Sequence, residues 1–108
     1  MTSRTYFGRP GGVVWRQHGP SLTGWKGLVP DRSLLLINHS PTGFNWGYGG
    51  SGPAQLALAL LLEETTEEEA LANYQQFKWD VVAKWPTGKN WAYPASKIQR
   101  WLVDHRKE

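Results

Sequence analysis

The residues best placed to do chemistry are the glycines that precede the first strongly helical segment. Gly47, Gly49 and Gly52 have the spacing G-x-G-x-x-G, and Pro53 follows them at the predicted start of a helix. A P-loop requires Lys and then Ser or Thr where this chain has Pro53 and Ala54. A dinucleotide-binding fold requires paired β-α-β halves, for which 108 residues are too few. The segment therefore matches neither nucleotide-binding motif.

A helix N-terminus that follows glycines can still bind an anion. Its first backbone N–H groups have no partner within the helix, and the helix dipole is positive there. We expect a phosphate to contact the amides of residues 49–52 and a nucleobase to stack on Trp46 or Tyr48. The candidate ligand-binding residues are His39, Asn45, Trp46, Tyr48, Gly49, Gly50, Ser51, Gly52 and Gln55. An alternative stays open, in which the glycines form a tight turn with Trp46 and Tyr48 packed beneath it.

No residues have the spacing of a catalytic or metal-binding set. His39 is a candidate general base, or else a loop histidine with a structural hydrogen bond. His18, His39 and His105 lack metal-ligand spacing, and Ser51 is not a nucleophile elbow because Pro53 stands where glycine is needed. The chain has no Cys, which excludes disulfides, thiolate catalysis and Cys-bound zinc. We therefore predict no catalytic residue, no metal and no cofactor.

The size and composition of the chain indicate one domain over residues 1–108. With 40% hydrophobic and 19% charged residues, the chain is expected to fold rather than stay disordered. The N-terminus lacks the apolar stretch of a signal peptide. The longest apolar run, residues 56–62, is far shorter than the roughly 20 residues that span a bilayer. We expect a soluble, cytoplasmic protein with no membrane contact, and a homo-oligomer stays open.

Charge and tryptophan content favour a small anionic ligand over duplex DNA. The net charge is +3, residues 53–77 contain five Glu and no base, and the cations elsewhere are spaced singly. A nucleic-acid binder usually concentrates its bases in one stripe, so duplex DNA is not expected as a partner. Seven Trp residues predict a core built from large rings, with a stacking surface for a planar ligand as the alternative.

The N-terminal part of the chain is predicted to form a sheet. Residues 4–9 and 12–17 are β-branched and aromatic runs separated by a Pro-Gly pair, which predicts a hairpin. Residues 18–32 are predicted to form a loop with one irregular strand. The apolar run 33–38 is predicted to be a third, central strand, and residues 39–52 a long loop.

The C-terminal part is predicted to be helical. A central helix begins at Pro53 and is apolar on nearly every face through residue 62, which predicts burial all round. A third helix covers about residues 94–105. The fold class is α+β: a small antiparallel β-sheet of about three N-terminal strands packed against about three helices, the central one buried.

The second helix lies between these two and has a capping box, Thr66 with Glu69. Lys78 and Asp80 are assigned to its solvent face. Its predicted buried stripe comprises Ala70, Tyr74, Phe77, Val81 and Trp85.

The central block WGYGGSGPAQLALALL, residues 46–61, resembles a small domain family of unknown function found in bacteria, archaea and phages. The opening RTYFG, the Tyr74-x-x-Phe77-Lys78 helix and a C-terminal Trp/Ile helix extend the resemblance over nearly the whole chain. The resemblance implies a phage or mobile-element setting, and hence the host cell cytoplasm. Small phage proteins of this size commonly inhibit host machinery by binding a protein or sequestering a nucleotide signal.

Three function hypotheses fit these residues. The first is a non-enzymatic binding protein that sequesters a nucleotide-like or other anionic small ligand at the glycine-rich loop. The second is a protein–protein inhibitor of a host defence or nucleic-acid enzyme, anchored by exposed Trp and Arg. The third is a small enzyme acting on a nucleotide or sugar, with His39 as base. A single-strand binder with Trp platforms would differ from a pocket binder by its strong salt dependence.

Overall fold

A four-stranded antiparallel sheet forms one layer of the protein. The computed structural model describes residues 4–18, 24–40 and 43–105. The strands are β1 (Arg4–Arg9), β2 (Val13–His18), β3 (Trp25–Leu28) and β4 (Trp91–Pro94), in the spatial order β3-β2-β1-β4. The predicted hairpin is confirmed as β1 and β2, which pair along their full length. Strand β4, which has no counterpart in the sequence-based prediction, pairs with β1.

Helices form the rest of the fold, with α2 at the centre. They are α1 (Asp31–Leu36), α2 (Ser51–Glu64), α3 (Glu67–Asp80) and α4 (Ala95–His105), with a 3-10 turn at Val82–Lys84. Residues 52–62 of α2 are all buried because Ala and Leu occupy almost every face, and α1, α3 and α4 pack against it. The predicted α+β class and the burial of the central helix are confirmed. Among the described residues, no helix is long and apolar enough to cross a membrane.

Strand alternation gives the sheet an inner and an outer face. On the inner face Tyr6, Val14 and Trp91 are buried together with the leucines of α2. On the outer face Phe7 lies opposite Trp15, and Trp15 lies opposite Gly27 of β3. Within the described ranges, the helices therefore cover the inner face and leave the outer face uncovered.

A charged network ties the inner face to the C-terminal end of α2. The fully buried Glu64 carboxylate accepts hydrogen bonds from Arg4 Nη2 at 2.5 Å, Gln99 Nε2 at 2.9 Å and the Tyr6 hydroxyl. Burial alone would raise the pKa of Glu64, but these hydrogen bonds outweigh it and lower the pKa below its usual value of 4.5. Burial and the bond to Glu64 raise the pKa of the Tyr6 hydroxyl. The network joins β1, α2 and α4.

The predicted central strand at residues 33–38 is wrong, because the chain forms helix α1 there. Pro30 has a helix-compatible φ of −75°, and Asp31 places a negative charge in the first turn. Leucine is also a good helix former, and a short apolar run does not distinguish a buried strand from a helix. The irregular strand predicted within residues 18–32 is β3, and residues 19–23 of that segment lie outside the described residues.

The second and third predicted helices are confirmed as α3 and α4. Thr66 caps α3 by accepting a hydrogen bond from the Glu69 amide at 3.2 Å. The stripe continues past the end of α3, because Val81 and Trp85 reach the core through the 3-10 turn. Helix α2 begins at Ser51, two residues before the predicted start.

Candidate functional site

The N-terminus of α2 leaves two backbone amides without an acceptor. Gly50 is the N-cap in an extended conformation, and the Ala54 amide donates to the Gly50 carbonyl at 3.1 Å. Pro53 has no N–H group, so Ser51 and Gly52 carry the first free amides of the helix. Among the described residues no atom accepts a hydrogen bond from either amide. These N–H groups and the positive helix end can interact with an anion.

Two exposed aromatic rings cover the glycines in front of this helix end. A Cβ atom at Gly49 would lie 2.1 Å from Cη2 of Trp79, and one at Gly50 would lie 2.4 Å from Cε2 of Tyr48. The absence of side chains at both positions therefore allows these rings to approach the backbone. Tyr48 is 45% exposed and Trp79 is 56% exposed. Each ring keeps solvent-accessible surface on which a planar group can stack.

Lys78 lies against the Trp79 ring and is 6% exposed, so its assignment to the solvent face of α3 is wrong. Its ammonium donates to the Gly49 carbonyl at 3.2 Å and lies 4.4 Å from the centre of the Trp79 ring. No carboxylate pairs with it among the described residues. A buried cation beside the positive end of a helix lacks the charge compensation that buried ions usually have.

The sequence contains the signal for this burial. Lys78 lies four residues after Tyr74 and three before Val81, both of which belong to the predicted buried stripe. The charge of Lys78 predicts exposure to solvent, whereas its position in the helix predicts burial. Trp79 was likewise absent from the candidate residues because it lies 30 positions after Gly49 in the chain.

Gln55 is buried and binds the protein's own loop rather than facing a ligand site. Its Oε1 accepts hydrogen bonds from the amides of His39 at 2.8 Å and Ser40 at 3.0 Å. Its Nε2 donates to Ser33 Oγ at 2.8 Å and to the Ile37 carbonyl at 3.0 Å. These four bonds use the full capacity of the amide, so Gln55 fixes the segment that joins α1 to the glycine loop.

Trp46 also lies in the core, 1% exposed, where no ligand can stack on it. Its Nε1 donates to the carbonyls of Pro86 and Lys89, each at 3.1 Å, and its backbone amide donates to Asn45 Oδ1 at 2.9 Å. His39 Nε2 lies 2.7 Å from the Tyr74 hydroxyl. Residues 41 and 42 of the predicted loop lie outside the described residues.

The structure therefore divides the predicted site residues into two groups. Tyr48, Gly49, Gly50, Ser51 and Gly52 surround the start of α2, where Lys78 and Trp79 join them. His39, Asn45, Trp46 and Gln55 hold the loop in place. We call the first group, with Lys78 and Trp79, the helix cluster. In the described part of the chain, no group of three or more His, Asp or Glu residues is arranged to hold a metal ion.

The fold and the helix cluster define a small α+β protein with free amides and two exposed rings at one helix start. The chain belongs to a family of unknown function (DUF6166), whose sequence model matches residues 10–104. The matched region includes every strand except β1 and nearly all of the helical layer. No curated protein and no solved structure matches the chain. The predicted resemblance to a family of unknown function is confirmed.

Proposed function

We propose that this protein binds a small anionic, nucleotide-like ligand at the helix cluster without transforming it. The observation that carries the proposal is the buried residue Lys78, whose ammonium has no carboxylate partner among the described residues and donates to the carbonyl of Gly49, two residues before the first free amide of α2. A phosphate accepting from Ser51 and Gly52 would supply the missing negative charge. Binding would thus compensate a charge that the fold leaves uncompensated.

The rings of Tyr48 and Trp79 supply the second part of the recognition. Both lie directly against the glycines in front of α2 and both have exposed surface. Stacking of a nucleobase on one such ring contributes on the order of 1–3 kcal/mol. A ligand with a planar group attached to a phosphate would use the rings and the amides together, and inorganic phosphate would use only the amides.

The contacts of His39 favour binding over catalysis. Its Nε2 is engaged with the Tyr74 hydroxyl, and its backbone amide is held by Gln55. A histidine with these contacts orders a loop, which supports a non-enzymatic role at the neighbouring cluster. Turnover of a nucleotide or sugar that is lost in His39→Ala would contradict this assignment.

Native mass spectrometry with a panel of linear and cyclic nucleotides tests the proposal, and titration calorimetry then measures the affinity of any nucleotide retained. We expect Trp79→Ala to weaken binding about fivefold or more. Gly50→Leu should abolish binding, because its side chain displaces the Tyr48 ring while the extended backbone at this position accepts a side chain. Trp25→Ala, which changes an exposed Trp of β3, is the matched control.

Lys78→Met separates a ligand-binding role from a structural one. Removing an uncompensated buried charge should leave the free energy of unfolding unchanged or raised, and should weaken nucleotide binding about tenfold or more. If Lys78 serves only to hold the Gly49 carbonyl, the same variant would be less stable and would bind as before. A clean ligand-free mass across the whole panel would also refute the proposal.

A further inference from the structure

In the described part of the chain, no helix covers the aromatic side chains on the outer face of the sheet, where Phe7 and Trp15 are half-buried and Trp25 is exposed. Phe7 and Trp15 stack with ring centres 5.5 Å apart and planes 16° apart. The Arg9 guanidinium lies 5.9 Å from the centre of the Trp15 ring. On β3, Trp25 is 63% exposed. An uncovered aromatic surface of this kind usually marks an interaction site.

A groove runs between the two tryptophans. Trp15 is paired with Gly27, and Trp25 lies two residues before Gly27 on the same face of the same strand. A Cβ atom at Gly27 would have no heavy atom within 4 Å, so the floor of the groove is open. The groove has a volume of about 410 Å³, and its lining includes Arg9, Val13, Trp15, Gln17, Trp25 and Gly27. We call it the aromatic groove.

The charges on the sheet favour a polyanion as the occupant. Every charged residue in the four strands is a cation: Arg4, Arg9, Arg16 and Lys26. Arg4 and Arg16 pair with carboxylates of α2 on the inner face. Lys26 is paired with Arg16 and therefore also points to the inner face. Arg9 lines the groove and has no carboxylate partner among the described residues. The groove therefore lies beside uncompensated positive charge, which attracts phosphates.

We propose that the aromatic groove binds single-stranded nucleic acid. One base inserts above Gly27 between Trp15 and Trp25, and Arg9 contacts an adjacent phosphate. Open sheets with exposed rings accept unstacked bases, whose flat faces match the rings. Duplex DNA has its bases stacked on one another, so it can use only the cations. This surface is separate from the helix cluster, and the two proposals succeed or fail independently.

Fluorescence anisotropy with a labelled oligothymidine of about 12 nucleotides tests the proposal. A duplex of the same length is the comparison ligand. We expect the single strand to bind more tightly than the duplex. With one phosphate contacted by Arg9, raising the salt from about 50 to about 200 mM should weaken binding about 2.6-fold. Equal binding of the duplex and the single strand would overturn the proposal.

Gly27→Val fills the groove without disturbing the fold. A Cβ atom at this position has no heavy atom within 4 Å, and β-branched residues suit a strand. We expect it to weaken oligothymidine binding about tenfold or more, and Trp25→Ala to weaken it about 5- to 150-fold. Val103→Ala, which alters an exposed residue of α4 outside both the groove and the helix cluster, is the control and should bind as the unmodified protein does. Circular dichroism verifies that each variant is folded.

Three further outcomes would overturn the proposal. The first is undiminished oligothymidine binding by folded Gly27→Val. The second is a dimer in light scattering that Gly27→Val dissociates, without any oligothymidine binding, which would make a second copy of the chain the occupant. The third is an absence of oligothymidine binding together with a purified protein partner that binds the unmodified chain and not Gly27→Val.

Discussion

The helix cluster and the aromatic groove both combine glycines with exposed tryptophans, but only one of them is filled by the protein itself. At Gly49 and Gly50 the rings of Trp79 and Tyr48 occupy the space that a side chain would take. At Gly27 that space is empty. A glycine in a sequence therefore does not show whether the space beside it is filled by the protein or open to a ligand.

The two regions also differ in how they carry positive charge. Lys78 is a buried residue in contact with the Trp79 ring, whereas Arg9 lies on the exposed rim of the aromatic groove. Salt screens an exposed charge strongly and a buried one weakly. We infer that the cluster suits a small ligand bound in a salt-tolerant way. The groove suits a polymer whose binding weakens as salt rises.

Gln55→Met is expected to have the largest effect, because it removes the support of the helix cluster and leaves the sheet unchanged. The substitution leaves the amides of His39 and Ser40 and the carbonyl of Ile37 without their side-chain partner. The Ser33 hydroxyl loses one bond and keeps its bond to the Pro30 carbonyl. We expect the free energy of unfolding to fall by about 3–5 kcal/mol in urea denaturation. A loss below about 1 kcal/mol would show that water replaces the amide and that the loop does not depend on Gln55.

Alanine substitutions at two glycines of the sheet test whether the space beside each glycine is filled by the protein or open. A Cβ atom at Gly8, on the inner face, would lie 2.0 Å from Nε1 of the buried Trp91. We expect Gly8→Ala to lower the free energy of unfolding by about 2–3 kcal/mol because the Trp91 ring must move. Gly27→Ala is the matched control and should be neutral or stabilising by up to about 1 kcal/mol. Equal thermal shifts for the two variants would contradict the assignment of the faces.

Glu64→Gln tests how much the charge of a buried carboxylate on the inner face of the sheet contributes to the stability of the fold. The lowered pKa of Glu64 means that its carboxylate stabilises the fold above its ordinary pKa of 4.5. This stabilisation is lost as the pH falls through the lower pKa of the folded state. We expect the variant to lose about 2 kcal/mol at neutral pH and to show a shallower decline in acid. Parallel stability curves from pH 7 to about pH 3 would contradict this role.

The sequence predicts the parts of this fold that follow from local patterns. The hairpin, the Thr66 cap and the all-apolar central helix depend on neighbouring residues, and each was recognised. The missed features join residues far apart in the chain. Trp79 reaches Gly49 across 30 positions, and Trp91 of the unforeseen strand β4 reaches Gly8 across 83. Spacing in the sequence does not record such contacts, so Gln55 and Trp46 were assigned to a ligand although the core uses them.

Substitution of the two exposed tryptophans is expected to change stability least and to separate the two binding functions most clearly. Trp79→Ala and Trp25→Ala should each change the free energy of unfolding by less than about 1 kcal/mol, because both rings are largely exposed. Measured against a mononucleotide and the oligothymidine, the two variants form a crossed experiment. Trp79→Ala should weaken only the mononucleotide, and Trp25→Ala only the oligothymidine. If either variant weakened both ligands equally, the cluster and the groove would belong to one binding surface, and the distinction between them would fail.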